Sequence, residues 1–141
     1  MNKNNIDIDI PIASSSVHAG FPSPAEDFMD DSLNLNKELI SHPSATFFIR
    51  VEGESMKDAE IHTGDLLIVD KAILPYDGCI AVCYIDGEFT LKRIKIIIDK
   101  ATKKRKIILV AANPKYKSIE IEDNNNFIIW GVVTYNIHKV K

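Results

Sequence analysis

From residue 46 onward, short apolar runs rich in β-branched and aromatic residues alternate with polar turns. This pattern is typical of strands, whereas helical spacing is largely missing from it. Eight strands are predicted, at Thr46–Val51, Asp65–Asp70, Cys79–Ile85, Glu88–Ile94, Lys95–Asp99, Lys106–Ala112, Ser118–Glu122 and Phe127–Ile137. The chain from 46 to 141 is therefore predicted to be one mainly β domain.

Residues 1–45 have a different pattern and are predicted to form an arm. Isoleucines from Ile6 to Ile12 alternate with polar residues and proline, which allows a short edge strand. Ser23-Pro24-Ala25-Glu26 has the residues of a helix N-terminus, and a short helix is predicted from there to about Asp31. Further helical turns are expected through residues 36–40, before His42-Pro43 ends them.

The strongest local signal is a β-hairpin. Asp86-Gly87 is a preferred pair for a type I′ turn and joins the runs Cys79–Ile85 and Glu88–Ile94. Lys92 is thereby placed inside a paired strand, on the same face as Thr90. A rigid strand can bury a lysine, and loss of water lowers the pKa of an ammonium group.

Ser55 and Lys92 form a candidate catalytic pair. Ser55 follows a strand within Gly53-Glu54-Ser55-Met56, so its hydroxyl is expected at an exposed turn. A serine attacks a carbonyl only when a neighbouring group accepts its proton, and a desolvated, neutral lysine can do so. The small-residue bond Ala19–Gly20, in the serine-rich arm, is a candidate substrate because it would clash least with a narrow cleft.

Each of these residues also has a purely structural interpretation. Ser55 alone would be a turn serine, Lys92 a solvated lysine, and Ala19–Gly20 part of a spacer. A Ser-His-Asp arrangement of Ser55 with His62 and Asp65 stays open, although a histidine seven residues after the serine is not typical of such a triad. The four histidines and two cysteines show no metal-ligand spacing and no glycine-rich phosphate loop occurs, so neither a metal nor a cofactor is expected.

The formal charge of −3 is unevenly distributed. Residues 1–40 carry −5 and residues 41–141 carry +2, which argues against broad binding to a phosphate backbone. The basic segment 99–106 is expected to be a solvated hairpin end. The amino terminus lacks a signal peptide and no apolar run could cross a bilayer, so a cytoplasmic protein is expected.

Several motifs with matched spacing resemble the LexA/UmuD family of self-cleaving Ser/Lys peptidases, peptidase family S24. The motifs are Ala19–Ala25, His42–Thr46, Gly53–Met56, Gly64–Asp70 and Asp86–Lys92. The resemblance implies a LexA-type, β-clip-like peptidase domain at 46–141 and a flexible amino-terminal arm at 1–45. It also implies that Ser55 is the nucleophile, that Lys92 is the general base, and that Ala19–Gly20 is the bond cut.

The resemblance carries expectations about partners. Repressors of the family have an amino-terminal helix-turn-helix domain, whereas 18 residues precede Ala19 here, which favours the UmuD branch. That branch implies a homodimer whose cleavage is stimulated by RecA filaments on single-stranded DNA. The trimmed form would join a UmuC-like Y-family DNA polymerase in SOS mutagenesis, without sequence-specific DNA binding or a membrane.

The chain differs from the family pattern in two places, and two alternative functions stay open. Ala-Gly at the cut is the LexA-type choice rather than Cys-Gly, and the hairpin from Asp99 to Lys106 is longer than its counterpart. One rival is a non-catalytic dimeric adaptor for a polymerase, in which Ser55 and Lys92 are relics. The other is a peptidase resembling signal peptidase, which the missing membrane anchor disfavours.

Overall fold

The computed structural model describes residues 8–13, 16–20 and 29–141. They belong to two compact units, Met1–Ser41 and His42–Lys141. The predicted division into an arm at 1–45 and a domain at 46–141 stays a prediction. The described residues include no helix that is both long enough and apolar enough to span a membrane.

In the first unit, strand β1 (Ile10–Ala13) pairs antiparallel with strand β2 (Met29–Leu33). The strand expected around Ile6–Ile12 is therefore present, shifted toward the carboxyl end. Helix α1 (Leu35–Leu39) follows, and the Asn34 side chain caps it by accepting from the Lys37 N–H at 3.3 Å. This helix confirms the helical turns expected before His42-Pro43.

The helix predicted from Ser23 to about Asp31 is wrong where the structure tests it. Residues 23–28 lie outside the described residues, whereas Asp30 and Asp31 belong to strand β2. The helix-start pattern is a local signal. In β2 the backbone groups are paired with another strand, in the register Ile10↔Leu33 and Pro11↔Ser32.

The second unit is a seven-stranded sheet, which confirms the mainly β prediction. The strand order is β3-β4-β9-β5-β6-β7-β8, and every neighbouring pair is antiparallel. The strands are β3 (Thr46–Arg50), β4 (Leu66–Asp70), β5 (Ile80–Ile85), β6 (Glu88–Ile98), β7 (Arg105–Val110), β8 (Ile119–Glu120) and β9 (Phe127–Ile137). The runs predicted separately at Glu88–Ile94 and Lys95–Asp99 form one continuous strand, β6.

The hairpin of β5 and β6 turns at Asp86-Gly87, as predicted. Both residues have positive φ, 46° and 91°, which is the backbone of a type I′ turn. The turn fixes the register, so that Lys92 on β6 lies directly opposite Ala81 on β5.

Two apolar clusters form the core of this unit. The first consists of Val51, Met56, Ile61, Leu67, Val69 and Val82. The second consists of Cys79, Ala81, Cys83, Ile94, Leu109 and Val132. Met56 of the first cluster is 1% exposed and directly follows Ser55, so packing of the core fixes the position of that serine.

Candidate active site

Ser55 lies on a turn between β3 and a short 3₁₀ helix at Lys57–Ala59, as the sequence predicts. Its backbone is held by a residue that is distant in sequence, because the Ala112 N–H donates to the Ser55 carbonyl at 2.8 Å. The Asp58 N–H in turn donates to the Ala112 carbonyl, also at 2.8 Å. The serine is therefore on a rigid turn rather than a free loop.

Two polar side chains hold the residues just before the serine. Asn113, 5% exposed, donates its Nδ2 hydrogen to the Glu54 carbonyl at 2.8 Å. Thr63 Oγ1 accepts from the Gly53 N–H at 2.9 Å and donates to the Gly53 carbonyl at 3.1 Å. Gly53 has a φ of 96°, which favours glycine at this position.

Lys92 reaches Ser55 from the middle of strand β6. Its Nζ lies 3.5 Å from Ser55 Oγ, 2.5 Å from Thr90 Oγ1 and 3.2 Å from the Leu91 carbonyl oxygen. The lysine is 7% exposed, and within the described part of the chain no carboxylate forms an ion pair with it. The two residues singled out by the sequence are thus brought together across 37 positions of the chain.

Burial lowers the pKa of the Lys92 amine below its ordinary value, because the ammonium form loses its water. A negative charge on Cys83 would oppose this shift. However, burial also raises the pKa of the Cys83 thiol to about 12, so the thiol is neutral at ordinary pH and exerts no such effect. The environment therefore favours the neutral amine.

A cleft of about 360 Å³ opens beside the serine. The end of β3 with the residues after it forms one part of its lining, and the start of β6 forms another. Its lining consists of Ile49, Arg50, Val51, Glu52, Gly53, Ser55, Met56, Leu67, Val82, Phe89, Thr90 and Leu91. The lining mixes apolar side chains with polar ones, among them Arg50, Glu52 and Thr90.

The backbone N–H groups of Ser55 and Met56 are available next to the serine hydroxyl. Within residues 29–141, neither group donates to a protein acceptor. N–H groups left unpaired beside a nucleophile are the kind of donor that stabilises the oxyanion of an acyl-transfer reaction.

Ala19 and Gly20 belong to the first unit, and both are exposed. The adjoining described residues, 16–18, are exposed as well. A bond in such a stretch is accessible to a peptidase. Their role as the bond cut stays a prediction.

The alternative Ser-His-Asp arrangement is not assembled. The ring nitrogens of His62 lie 3.9 Å from a Glu54 carboxylate oxygen and 3.6 Å from a Glu60 carboxylate oxygen. Asp65 accepts from the backbone N–H of His62 at 2.9 Å, and its carboxylate contacts the ring of His138 at 2.6 Å. Asp65 is therefore part of a structural cluster, separate from Ser55.

Sequence reasoning missed the part that Asn113 and Thr63 play at this site. Both residues lie outside the strands, Thr63 in a turn and Asn113 in a bend. Their contacts with Glu54 and Gly53 connect positions 59 and 10 residues apart. Local patterns do not show which distant residue a side chain will meet.

Comparison with known proteins identifies the family of this chain. Residues 11–134 match the family described as Peptidase S24-like. The protein SamA of Salmonella typhimurium is 43% identical over 131 residues, which cover 93% of this chain and 86% of SamA. ImpA of Escherichia coli is 42% identical over 131 residues (93% of this chain, 85% of ImpA), and MucA of Escherichia coli is 40% identical over 129 residues (91% and 84%).

The match covers most of the chain, and the relatives are covered over most of their own length. The predicted LexA-type fold and the resemblance drawn from the motifs are both confirmed. The chain therefore belongs to the Peptidase S24-like family, as a UmuD-like member.

Proposed function

We propose that this protein is a self-cleaving serine peptidase that uses Ser55 and Lys92 to cut its own Ala19–Gly20 bond. The observation that carries the proposal is a buried lysine amine 3.5 Å from the serine hydroxyl, with no carboxylate paired to it in the described part of the chain. Membership of a peptidase family agrees with it.

In the reactive form that we propose, Lys92 is a neutral amine. Such an amine has two N–H donors and one lone pair. The Leu91 carbonyl and the Thr90 hydroxyl oxygen take the two donors, at 3.2 Å and 2.5 Å. The lone pair is left for the Ser55 hydroxyl, which donates to it and becomes a nucleophile.

The reaction proceeds by acyl transfer. Ser55 Oγ bonds to the Ala19 carbonyl carbon as its proton moves to Lys92, and the backbone N–H groups of Ser55 and Met56 stabilise the oxyanion. Collapse breaks the bond to the Gly20 nitrogen, which takes the proton from Lys92. Water, deprotonated by Lys92, then releases the acyl group, which leaves the Ala19 carboxylate and the free serine.

We further propose the biological setting that the UmuD-like family implies. The protein is a homodimer, and RecA filaments on single-stranded DNA stimulate its cleavage. The trimmed form serves a UmuC-like Y-family DNA polymerase in SOS mutagenesis. A filament that stabilises the docked arm would raise the rate by population shift, without supplying a catalytic group.

Incubation of the purified protein across a pH series tests the chemistry. Because only the neutral amine accepts a proton, cleavage without RecA should rise about tenfold per pH unit until the pKa of Lys92, and then level off. Mass spectrometry and amino-terminal sequencing should find a fragment that begins at Gly20. RecA with single-stranded DNA should raise the rate near neutral pH.

Three variants and a control decide the roles. Ser55→Ala, Lys92→Ala and Lys92→Arg should each lower cleavage by about 10⁴-fold or more, since the members of a catalytic unit act together and arginine is always protonated. Lys95→Ala, which removes an exposed lysine from the same strand, should cleave normally. Retained cleavage in Lys92→Arg would exclude lysine as the base, and no Gly20 fragment under any condition would leave only a non-catalytic role.

A further inference from the structure

The β6–β7 hairpin extends past the strand beside it. β6 and β7 pair as far as Ile98↔Arg105, whereas β8 pairs with β7 only at Ile108 and Leu109. The loop at 99–104 and Arg105 therefore form a tip, hereafter the hairpin tip (residues 99–105), beyond the end of β8. All of its residues are exposed. The tip is held by hydrogen bonds between Asp99 and Lys104 and between Lys103 and Asp99.

Positive charge is concentrated on this hairpin. Residues 93–106 contain seven lysines and arginines and one acid, a net charge of +6. Since the whole chain carries −3, all other residues together carry −9. The overall charge thus hides a local field of the opposite sign, and at physiological salt a field acts over only about 8 Å.

Part of this charge is already used within the protein. Asp99 Oδ1 accepts from the N–H groups of Ala101 and Thr102 at 2.8 Å and 3.3 Å, so the acid is committed to the loop itself. Lys106 pairs with Glu120, and Arg93 donates to the Gly78 carbonyl at 2.7 Å. Within the described part of the chain, five exposed cations form no ion pair: Lys95, Lys100, Lys103, Lys104 and Arg105.

We propose that the hairpin tip binds the phosphate backbone of nucleic acid without reading its sequence. Four of these cations, Lys100, Lys103, Lys104 and Arg105, lie on the hairpin tip and fit a polyanion, since duplex DNA presents one charge per roughly 1.7 Å of its axis. A two-stranded ribbon is also narrow enough to enter a major groove about 12 Å wide. Residues 93–106 contain no aromatic side chain that could stack on a base, so contacts to phosphate are favoured over base recognition.

The inference is independent of the Ser55–Lys92 chemistry. None of the five cations lines the cleft or contacts either residue. Binding and cleavage are therefore expected to fail separately when each is mutated.

The test is fluorescence anisotropy of labelled mixed-sequence DNA, single-stranded and duplex, with the full chain at salt from about 50 to about 200 mM. Four phosphate contacts predict a slope of log K against log salt of about −2.8 for single strands and about −3.6 for duplex. Lys100→Gln, Lys103→Gln, Lys104→Gln and Arg105→Gln combined should weaken binding at least about tenfold and flatten the slope by about one per cation removed.

A charge-matched control separates the tip from bulk charge. Lys115→Gln, Lys117→Gln, Lys139→Gln and Lys141→Gln combined remove four positive charges from exposed positions elsewhere. This variant should keep both the affinity and the slope to within about twofold. The tip variant should still release the Gly20 fragment at the wild-type rate, which shows that it is folded.

Three results would overturn the proposal. Equal weakening of DNA binding in the two combined variants would mean that total charge, not the tip, is responsible. Displacement of the DNA by polyglutamate at equal charge concentration would instead assign the tip to an acidic protein segment. Absence of binding by the wild type at about 50 mM salt would likewise exclude the nucleic-acid site.

Discussion

Lys92 and Lys106 lie on the two strands of one hairpin, yet their amines are in opposite surroundings. Lys92 is 7% exposed and has only hydroxyl and carbonyl oxygens around its Nζ, so burial lowers its pKa. Lys106 is exposed and pairs with Glu120, whose hydrogen bond and charge raise the pKa of that lysine.

The difference shows what makes a lysine a base. Residue type and strand context are the same in both cases. What differs is the presence of water and of a carboxylate, and these depend on neighbouring strands that are distant in sequence. The buried part of the β6–β7 hairpin around Lys92 therefore favours a neutral amine. The exposed part around Lys106 keeps its cations charged.

Giving Lys92 a carboxylate would break this contrast, and we expect the largest effect from it. In Thr90→Asp the new carboxylate would stand beside Nζ and raise the pKa of Lys92, by about one to three units for an opposite charge at such range. Cleavage near pH 7 should fall by about 10- to 1000-fold, because less of the amine is neutral. The rising limb of the pH–rate curve should move to higher pH by the same amount.

Thr90→Asn is the matched control, since it changes size and polarity similarly but adds no charge. Its rate should fall only modestly, and its pH limb should stay in place. The measurement is the rate of Gly20-fragment release as a function of pH. If both variants lose the same amount of cleavage rate and the rate rises over the same pH range as in the wild type, Thr90 only positions Lys92.

The sequence predicts best those features that depend on neighbours in the chain. The Asp86-Gly87 turn fixes the register of β5 and β6, and this register puts Lys92 opposite Ala81. Helix α1 ends before His42-Pro43, as the proline predicts. In each case the deciding residues are within a few positions of one another.

The sequence does not reveal features that depend on distant partners. Strand β2 exists because β1 supplies partners for its backbone, and this pairing overrides a local pattern typical of a helix start. Likewise, Asn113 holds the turn before Ser55 from 59 residues away. Residue chemistry suggested the pairing of Ser55 and Lys92 and family motifs supported it, whereas the desolvation of Lys92 depends on how the surrounding core packs around it.

Asp65 sharpens the comparison, because it is buried but fully partnered. Burial alone would raise the pKa of this carboxyl. Hydrogen bonds from the His62 N–H, Asn136 and His138 outweigh burial and lower the pKa to about 2. Burial without a carboxylate partner thus lowers the pKa of Lys92, whereas burial with hydrogen-bond donors lowers the pKa of Asp65 and favours its charged form.

This predicts a specific acid sensitivity. The pKa of Asp65 in the folded protein lies below the ordinary value of 3.8, so the stabilisation that its charged form contributes is fully present above about pH 4 and is lost as pH falls toward 2. A shift of that size corresponds to about 2 kcal/mol of unfolding free energy. Urea unfolding should show Asp65→Asn to be less stable at pH 6, with the difference shrinking below pH 4.

Asp123→Asn is the control, since Asp123 is exposed and its side chain makes no hydrogen bond in the described part of the chain. Its acid limb should coincide with that of the wild type. A constant difference between Asp65→Asn and the wild type from pH 6 down to pH 2 would mean that packing, and not ionisation, explains the variant's instability.

The smallest effect is expected at the exposed pair of Lys106 and Glu120. Glu120→Gln removes the carboxylate beside Lys106, and the pKa of that lysine should fall, as an NMR titration of its side chain would show. The melting temperature should not change measurably, because an exposed pair is screened by salt and surrounded by water. Cleavage should also be unchanged, since the pair is remote from Ser55. A clear drop in melting temperature would instead show that the pair helps to hold β8 against β7. The surroundings of Lys106 would then contribute to stability, as the packing around Lys92 does, despite the exposure of Lys106.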